Sequence, residues 1–375
     1  MTADVAFIAC SKTKAERPAP AGALYASPLF RKSLQAALDS ARKVFVLSAE
    51  HGVVPLSTIL APYDTTLKRM PLAQRLCWGK RVGGALDKYA AAGSSVELFC
   101  GEEYISPIAD DIERLDYKIT NKLAGMSLGQ RLKRLAILNG EVELKSAKAR
   151  FDASISRLWI AQMGGRLLCE TSGRQAWPER GVYFLLDSQV PAANGRVPRV
   201  IRVGTHAVSD GSKTTLWDRI STHRGTTSGG GSHRSSIFRL HVGRALVSRN
   251  PNLLNKGGQT WGQGQSAPAD IRAAERHIEE AVSTTLGAMR LLWVDIPDAA
   301  SSNSRRSYIE RNAIALLSRV GLLSSYGSQR WLGRYSPEWK IASSGLWNLN
   351  HVFANVDSDF CDVFDTTVVP CFQQC

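Results

Sequence analysis

The second half of the chain carries, in order, residue types suited to breaking a phosphodiester bond. Tyr183 lies in the apolar run GVYFLLD and Arg202 in PRVIRVG. Arg219 and His223 share the segment LWDRISTHR, and His233 stands in GGGSHRSS. Glu310 follows in SRRSYIERNAIALL, with Asn348 and Asn350 in SGLWNLNHV. Such a cleavage needs an activated water, neutralisation of charge on a phosphorane-like transition state, and a stabilised leaving oxygen. Glu310 is the natural single ligand for a hard divalent cation, magnesium or manganese. Arg219, permanently charged and forked, suits the non-bridging phosphate oxygens. Tyr183 is placed to orient or deprotonate water, although a phenol titrates near 10 and needs positive charge beside it to do so. His223 and His233 can shuttle protons or bind phosphate near neutral pH.

The elements that must position these groups follow from hydrophobic period. GVYFLLD and PRVIRVG are β-rich runs separated by a polar loop containing Pro and Gly, which predicts an antiparallel pair that brings Tyr183 close to the segment ending at Gly204. TTLWDRISTHR predicts a helix with Arg219 and His223 on one face and Leu216 and Ile220 in its apolar stripe. Glu310 falls in a second amphipathic helix, beside a stripe of Ile309, Ala313, Ile314, Leu316 and Leu317. SDGSKTT and RGTTSGGGSH read as loops, and NKGGQTWGQGQSAPAD as a longer flexible insertion.

Composition fits a polyanionic partner. The 375 residues hold 47 Lys+Arg against 33 Asp+Glu, a formal net charge of +14, which favours nucleic acid through counterion release. With 44% hydrophobic residues there is enough chain for two domains, each with its own core. No run approaches the ~20 apolar residues that span a bilayer, so no membrane partner is expected. VAFIAC followed by SKTK does not read as a secretory signal. The seven cysteines are scattered and odd in number, as expected of reduced thiols in a cytoplasm. Cys361, Cys371 and Cys375 crowd together, but not at the spacing of a common zinc site.

The order and spacing of the C-terminal motifs resembles the GIY-YIG nuclease family over roughly residues 178–355, with the 250–300 segment outside its core motifs. The resemblance implies a small α/β domain with a short antiparallel sheet flanked by helices, and one-metal hydrolysis of DNA. It places the family's first-motif tyrosine at Tyr183, its helix arginine at Arg219 and the accompanying histidine at His223. The metal-binding glutamate falls on Glu310 and the late asparagine on Asn348, with Asn350 as the rival. His233 matches a histidine found in some members. The chain departs from the family at Arg202, which stands where a second tyrosine is usual. Arginine there can still hold a phosphate or favour a phenolate at Tyr183, so the site reads as altered.

The first 120 or so residues alternate strand and helix signals. VAFIAC, KVFVLSAE and SVELFCG read as buried strands, and SPLFRKSLQAALDSARK and PLAQRLCWGKRVGGALDKYAAAG as helices, which predicts an α/β domain with a mostly parallel sheet. Ligand sites in such sheets lie beyond the carboxyl ends of the strands. There the chain places Cys10, Ser11 and Lys12, then Ser48, Glu50 and His51, and then Cys100 to Tyr104. The motifs IACSKTK, LYASPLF, VLSAEHGVVPL and APYDTTL resemble an uncharacterised bacterial domain family, distantly similar to uracil-DNA-glycosylase-like proteins and archaeosine-tRNA modification enzymes, over about residues 4–135. That resemblance implies a pocket for a flipped-out base. Tyr25, Phe30, Tyr63 or Tyr104 would stack on it, Ser11, Lys12, Ser48 or His51 would touch its edge, and Asp64 or Glu50 would supply a carboxylate. A plain scaffold is the competing reading, with Asp64 capping a turn.

The expected organisation is therefore an N-terminal α/β recognition or glycosylase-like domain over 1–122, a basic helical bridge over 123–172, and a GIY-YIG-like domain over 173–375. The expected function is a cytoplasmic, metal-dependent DNA endonuclease directed by a domain that recognises or excises modified bases, in restriction-like defence against phage. The alternatives are a non-catalytic nucleic-acid binder, a DNA-repair enzyme or an RNA-processing nuclease.

Overall fold

DVAFIA carries β-branched and aromatic side chains with no helix signal, and it forms the buried strand β1 (Ala3–Ala9). The structure, a computed structural model, describes residues 2–187, 197–256, 258–324 and 331–368. The chain divides into two units whose main boundary falls between Glu143 and Leu144.

In the first unit, β2 (Ala19–Pro20) and α1 (Ala21–Leu24) precede α2 (Pro28–Ser40). The Ser27 side chain accepts from the Phe30 amide and Pro28 takes the first helical position, where its missing N–H costs nothing. Then come β3 (Ala41–Ser48), β4 (Gly52–Pro55), β5 (Ile59–Leu60), α3 (Leu72–Gly83), β6 (Ser95–Phe99), α4 (Glu102–Ile105), α5 (Ala109–Arg114), β7 (Lys118–Asn121) and α6 (Leu128–Leu138). The five-stranded sheet runs β4-β3-β1-β6-β7 and is parallel except for β4. The chain leaves β1 for β3 on one side and returns to β6 on the other, so β1 is a topological switch point. The helix α7 (Glu141–Ala161) carries the chain across the boundary, so the bridge expected over 123–172 is largely α6 and α7.

The second unit is built around β9 (Gly181–Leu186), in which every residue is buried. A strand covered on both faces reads as an unbroken apolar run, as GVYFLL does. On one face Phe184 packs with Phe151 of α7 and with Phe364 of α13 (Phe360–Val368). On the other face Tyr183 turns toward α8 (Leu216–Arg224) and α9 (Ile237–Arg249), where His223 and Phe238 lie. The strand β10 (Val200–Gly204) pairs antiparallel with β9 and puts Gly204 opposite Tyr183. The pairing expected from the sequence is therefore present.

The sheet is larger than the two expected strands. Its order is β10-β9-β11-β8, with β8 (Arg166–Leu167) at one edge and β11 (Arg290–Asp295) inside, all antiparallel. The segment 250–300, read as an insertion, thus supplies an interior strand. It also supplies α10 (Ala269–Gly287), whose Ile278, Val282 and Leu286 are buried. The long helix α11 (Arg305–Ser324) and the short α12 (Trp339–Ser344) complete the described helices. Cys361 is buried with its thiol against the Ala147 carbonyl, while Cys371 and Cys375 lie outside the described residues.

Candidate active site

Gly204 is a glycine because Tyr183 lies over it. A Cβ at Gly204 would sit 2.2 Å from the Tyr183 hydroxyl oxygen, so any side chain there expels the ring. The seated phenol is 0% exposed. Its oxygen lies 2.8 Å from Nε2 of His223, and Nδ1 of His223 lies 2.8 Å from the Ser236 hydroxyl. Arg202 Nε–H donates to the same phenol oxygen at 3.4 Å. The consistent proton assignment has Tyr183 donating to Nε2 and Nδ1–H donating to Ser236, which requires neutral His223. Burial, then the charges of Arg202, Arg219 and Arg239, hold its pKa well below the usual histidine value.

Arg202 is fixed from three sides. Besides Tyr183, it donates to the Trp347 carbonyl at 2.9 Å, and its guanidinium lies 4.4 Å from the centre of the Phe238 ring. The segment around Trp347 lies along the free edge of β10. The Trp347 amide donates to Ile201, and the Asn348 side-chain amide makes two bonds to Val203, accepting from its N–H at 3.1 Å and donating to its carbonyl at 2.8 Å. A residue with one donor and one acceptor at its tip is needed for that double contact.

Glu310 is brought in by α11. One turn earlier, the fully buried Arg306 pairs with Asp298 and donates to the carbonyls of His206, Ala207 and Ala299. This pins the loop that follows β10 against α11, and the Thr205 amide then donates to Glu310 Oε1 at 3.2 Å. Burial raises the Glu310 pKa, while Arg202, the Thr205 amide, Arg219 and Arg306 oppose the rise. Arg219 sits in the first turn and a half of α8, behind a capping box formed by Thr215 and Asp218. Its Nε is buried without a partner among the described residues.

Arg202, Arg219, Glu310, Asn348 and Asn350 border one cleft of about 160 Å³, together with His241 and His351. Tyr183, His223 and His233 do not border it. His233 lies apart, with its amide and Nδ1 bonded to Glu279 at 2.6 and 3.0 Å, its Nε2 accepting from the Gly262 amide, and its ring against Trp261. Those bonds commit both ring nitrogens to holding the 225–236 loop. NKGGQTWGQGQSAPAD is corrected in part, since Trp261 is a packing residue.

His241, like His351, is a cleft residue that sequence patterning overlooked. It is 3% exposed, and neither ring nitrogen has a partner among the described residues. Burial, then Arg244 and Arg202, push its pKa down to about 4. For a histidine lowered in the fold, the unfolded chain binds more protons between that value and 6.5, so stability is present above 6.5 and lost as pH falls toward 4. The expected loss from His241 is at most about 3 kcal/mol. Chemical denaturation from pH 7 to pH 4 should therefore show a flatter stability profile for His241→Leu than for wild type. Parallel profiles would remove the buried neutral ring from the account.

A second cavity, about 300 Å³, opens in the first unit at the carboxyl ends of β1 and β6, the switch point of that sheet. Cys10, Ser11, Lys12, Phe30, Tyr104 and Arg131 are among its lining residues. The Cys10 thiol lies 3.2 Å from the Tyr104 hydroxyl and accepts from the Ala49 amide. The other expected pocket residues form a separate cluster. The Tyr63 hydroxyl lies 2.8 Å from that of Tyr25 and 2.7 Å from that of Ser48, which caps the His51 amide. Burial raises the Tyr63 pKa and takes that of Tyr25 to about 12. Lys14 lies over the Tyr63 ring at 3.9 Å, and His51 meets that ring edge-on. Glu50 accepts from Thr65, and Asp64 is exposed.

Two family matches bear on this geometry. Residues 5–137 match a family described as of unknown function, DUF6884. No curated protein and no solved structure matches the chain. Residues 143–373 match the family described as GIY-YIG domain, a nuclease domain that cuts phosphodiester bonds in DNA and generally depends on a divalent metal. The match covers more than half of the chain and contains every residue of the cleft, and the chain belongs to the GIY-YIG domain family.

Proposed function

We propose that the protein is a magnesium- or manganese-dependent DNA endonuclease whose N-terminal unit reads, or excises, a modified base, as in restriction-like defence against phage DNA. The observation that carries the nuclease part is a half-buried carboxylate sharing one cleft with two arginines, one of which has a buried Nε without a partner among the described residues. The donor set suits a hard cation, because Glu310 spends one oxygen on the Thr205 amide and can offer carboxylate oxygen to an ion that keeps much of its water. When bound, the cation would polarise the phosphate and supply a more acidic water.

The chain's own residues do the rest. Arg219 takes a non-bridging phosphate oxygen, which gives its Nε the acceptor it lacks. Arg202 holds a second positive charge at the transition-state phosphate, aimed by Phe238, Trp347 and Tyr183. Asn348 holds the edge of β10 at Val203, next to Arg202. In this reading Tyr183, His223 and Ser236 are a positioning chain for Arg202.

For the N-terminal unit, the support is the cavity at the β1–β6 switch point, with aromatic walls at Phe30 and Tyr104 and cations at Lys12 and Arg131. That is the chemistry of a pocket for one extrahelical nucleotide. Purified protein with magnesium should therefore nick DNA containing hydroxymethyl- or glucosyl-cytosine at least about tenfold faster than plain DNA. Equal rates would make the N-terminal unit something other than a modification reader. An abasic product in advance of nicking would assign it excision. DNA bound but never cut would favour a non-catalytic binder, and preference for RNA at fixed salt an RNA-processing role.

A further inference from the structure

The cavity of the first unit is lined by more positive than negative charge. Lys12 follows β1, Lys68 lies between β5 and α3, and Arg131 stands on α6, so three separate stretches of chain bring cations to one space of about 300 Å³. Glu103 is the carboxylate among its lining residues, and it lies 3.6 Å from the Lys68 ammonium. Lys12 and Arg131 have no carboxylate partner among the described residues. The Arg131 Nε donates to the Met126 carbonyl at 2.9 Å, which anchors the fork, while its terminal nitrogens make no hydrogen bond among the described residues. The start of α2 adds to the field, since Ser27 at its cap and Leu29 and Phe30 in its first turn border the same cavity.

The balance of charge distinguishes between ligands. Three cations less one carboxylate leave two positive charges for an occupant to meet. A phosphodiester inside a strand brings one negative charge, whereas a terminal phosphate brings about 1.5 to 2 at neutral pH, with three acceptor oxygens for the three cations. Phe30 and Tyr104 add aromatic surface of the kind that takes the ring of a base. Resting on the reading of this cavity as a nucleotide pocket, we propose that the first unit holds its nucleotide by a terminal phosphate, a phosphomonoester dianion set on Lys12, Lys68 and Arg131 with the base against the aromatic walls.

Two sources supply that chemistry. One is a free mononucleotide. The other is a strand end, because adding water across a phosphodiester leaves a phosphomonoester on one fragment and a hydroxyl on the other. The site itself is indifferent to which enzyme makes the cut.

The test measures equilibrium binding to the full chain with a chelator present, so that metal-dependent cutting is stopped. The probes are hydroxymethyl-deoxycytidine, its monophosphate, the methyl ester of that monophosphate, and a short single strand of DNA ending in the same nucleotide, with a hydroxyl or a phosphate at either end. The monophosphate should bind at least about tenfold tighter than its methyl ester, which keeps base and sugar and carries one charge fewer. Lys12→Gln and Arg131→Gln should each weaken it by about tenfold, with thermal unfolding unchanged. Tighter binding of the free monophosphate than of any strand assigns the site to mononucleotides, and tighter binding of a phosphorylated strand assigns it to strand ends. Equal affinity for nucleoside, methyl ester and monophosphate overturns the proposal and keeps the nucleotide pocket. Failure of every probe to bind overturns both. Affinity that survives both first-unit substitutions and is lost in Arg219→Ala puts the phosphate in the cleft of the second unit and overturns the proposal.

Discussion

Glu310→Gln is expected to lower the rate of strand cutting by about 10³-fold or more while DNA affinity stays near that of wild type. The substitution keeps the shape of the side chain and an oxygen able to accept from the Thr205 amide, but removes the carboxylate charge that would hold a cation. Stability should move little or rise slightly. Burial already raises the Glu310 pKa, so the folded chain carries this charge at a cost that a neutral amide does not. A gel-based cutting assay beside a denaturant titration checks both parts. Loss of activity with a matching loss of stability would make Glu310 a structural residue.

Arg202→Ala is the second large effect. Removal of this guanidinium leaves the Trp347 carbonyl without its donor and the Phe238 face bare, and takes one contact from the Tyr183 hydroxyl. About 2 kcal/mol of stability should go with them. Cutting should fall by about 10²- to 10³-fold, the usual cost of losing a donor aimed at developing charge. Arg202→Lys should recover part of the stability and little of the rate, because an ammonium cannot reproduce the fork that spans Tyr183 and Trp347. Arg202→Tyr, which restores the residue usual in the family, separates two roles. Activity regained there would make the position a holder of phosphate chemistry in either form, whereas inactivity would tie this cleft to arginine. Arg202→Ala at full activity would remove the residue from the site.

The motifs were legible in the sequence where local pattern and function coincide. β9 and β10 announce themselves by composition, and their pairing follows from the loop between them. Arg219 and Glu310 stand beside apolar stripes whose period fixes which face they occupy. What escaped depends on partners far apart in the chain. RLLWVD of β11 follows the end of α10 after only two residues, and it shows its place only by pairing with β9. Arg306 reads as one more charge in SRRS, yet it is wholly buried because the carbonyls of His206 and Ala207 come to it from about a hundred residues away. His241 sits within IFRLHVGRALV, a helix apolar on most sides, where no period distinguishes a cleft residue from a core one. In the first unit the strands were legible, but the groups at their carboxyl ends sort into one cavity and one self-satisfied tyrosine cluster, which strand-end position alone does not resolve.

Whether Glu310 serves a metal-dependent nuclease is tested by nicking of supercoiled DNA by the purified full chain, with magnesium and with a chelator, for wild type beside Glu310→Gln. The expected result is nicking that requires the metal and disappears in the variant, with both proteins folded and both bound to DNA. Metal-independent nicking, or equal nicking by the two proteins, would contradict it.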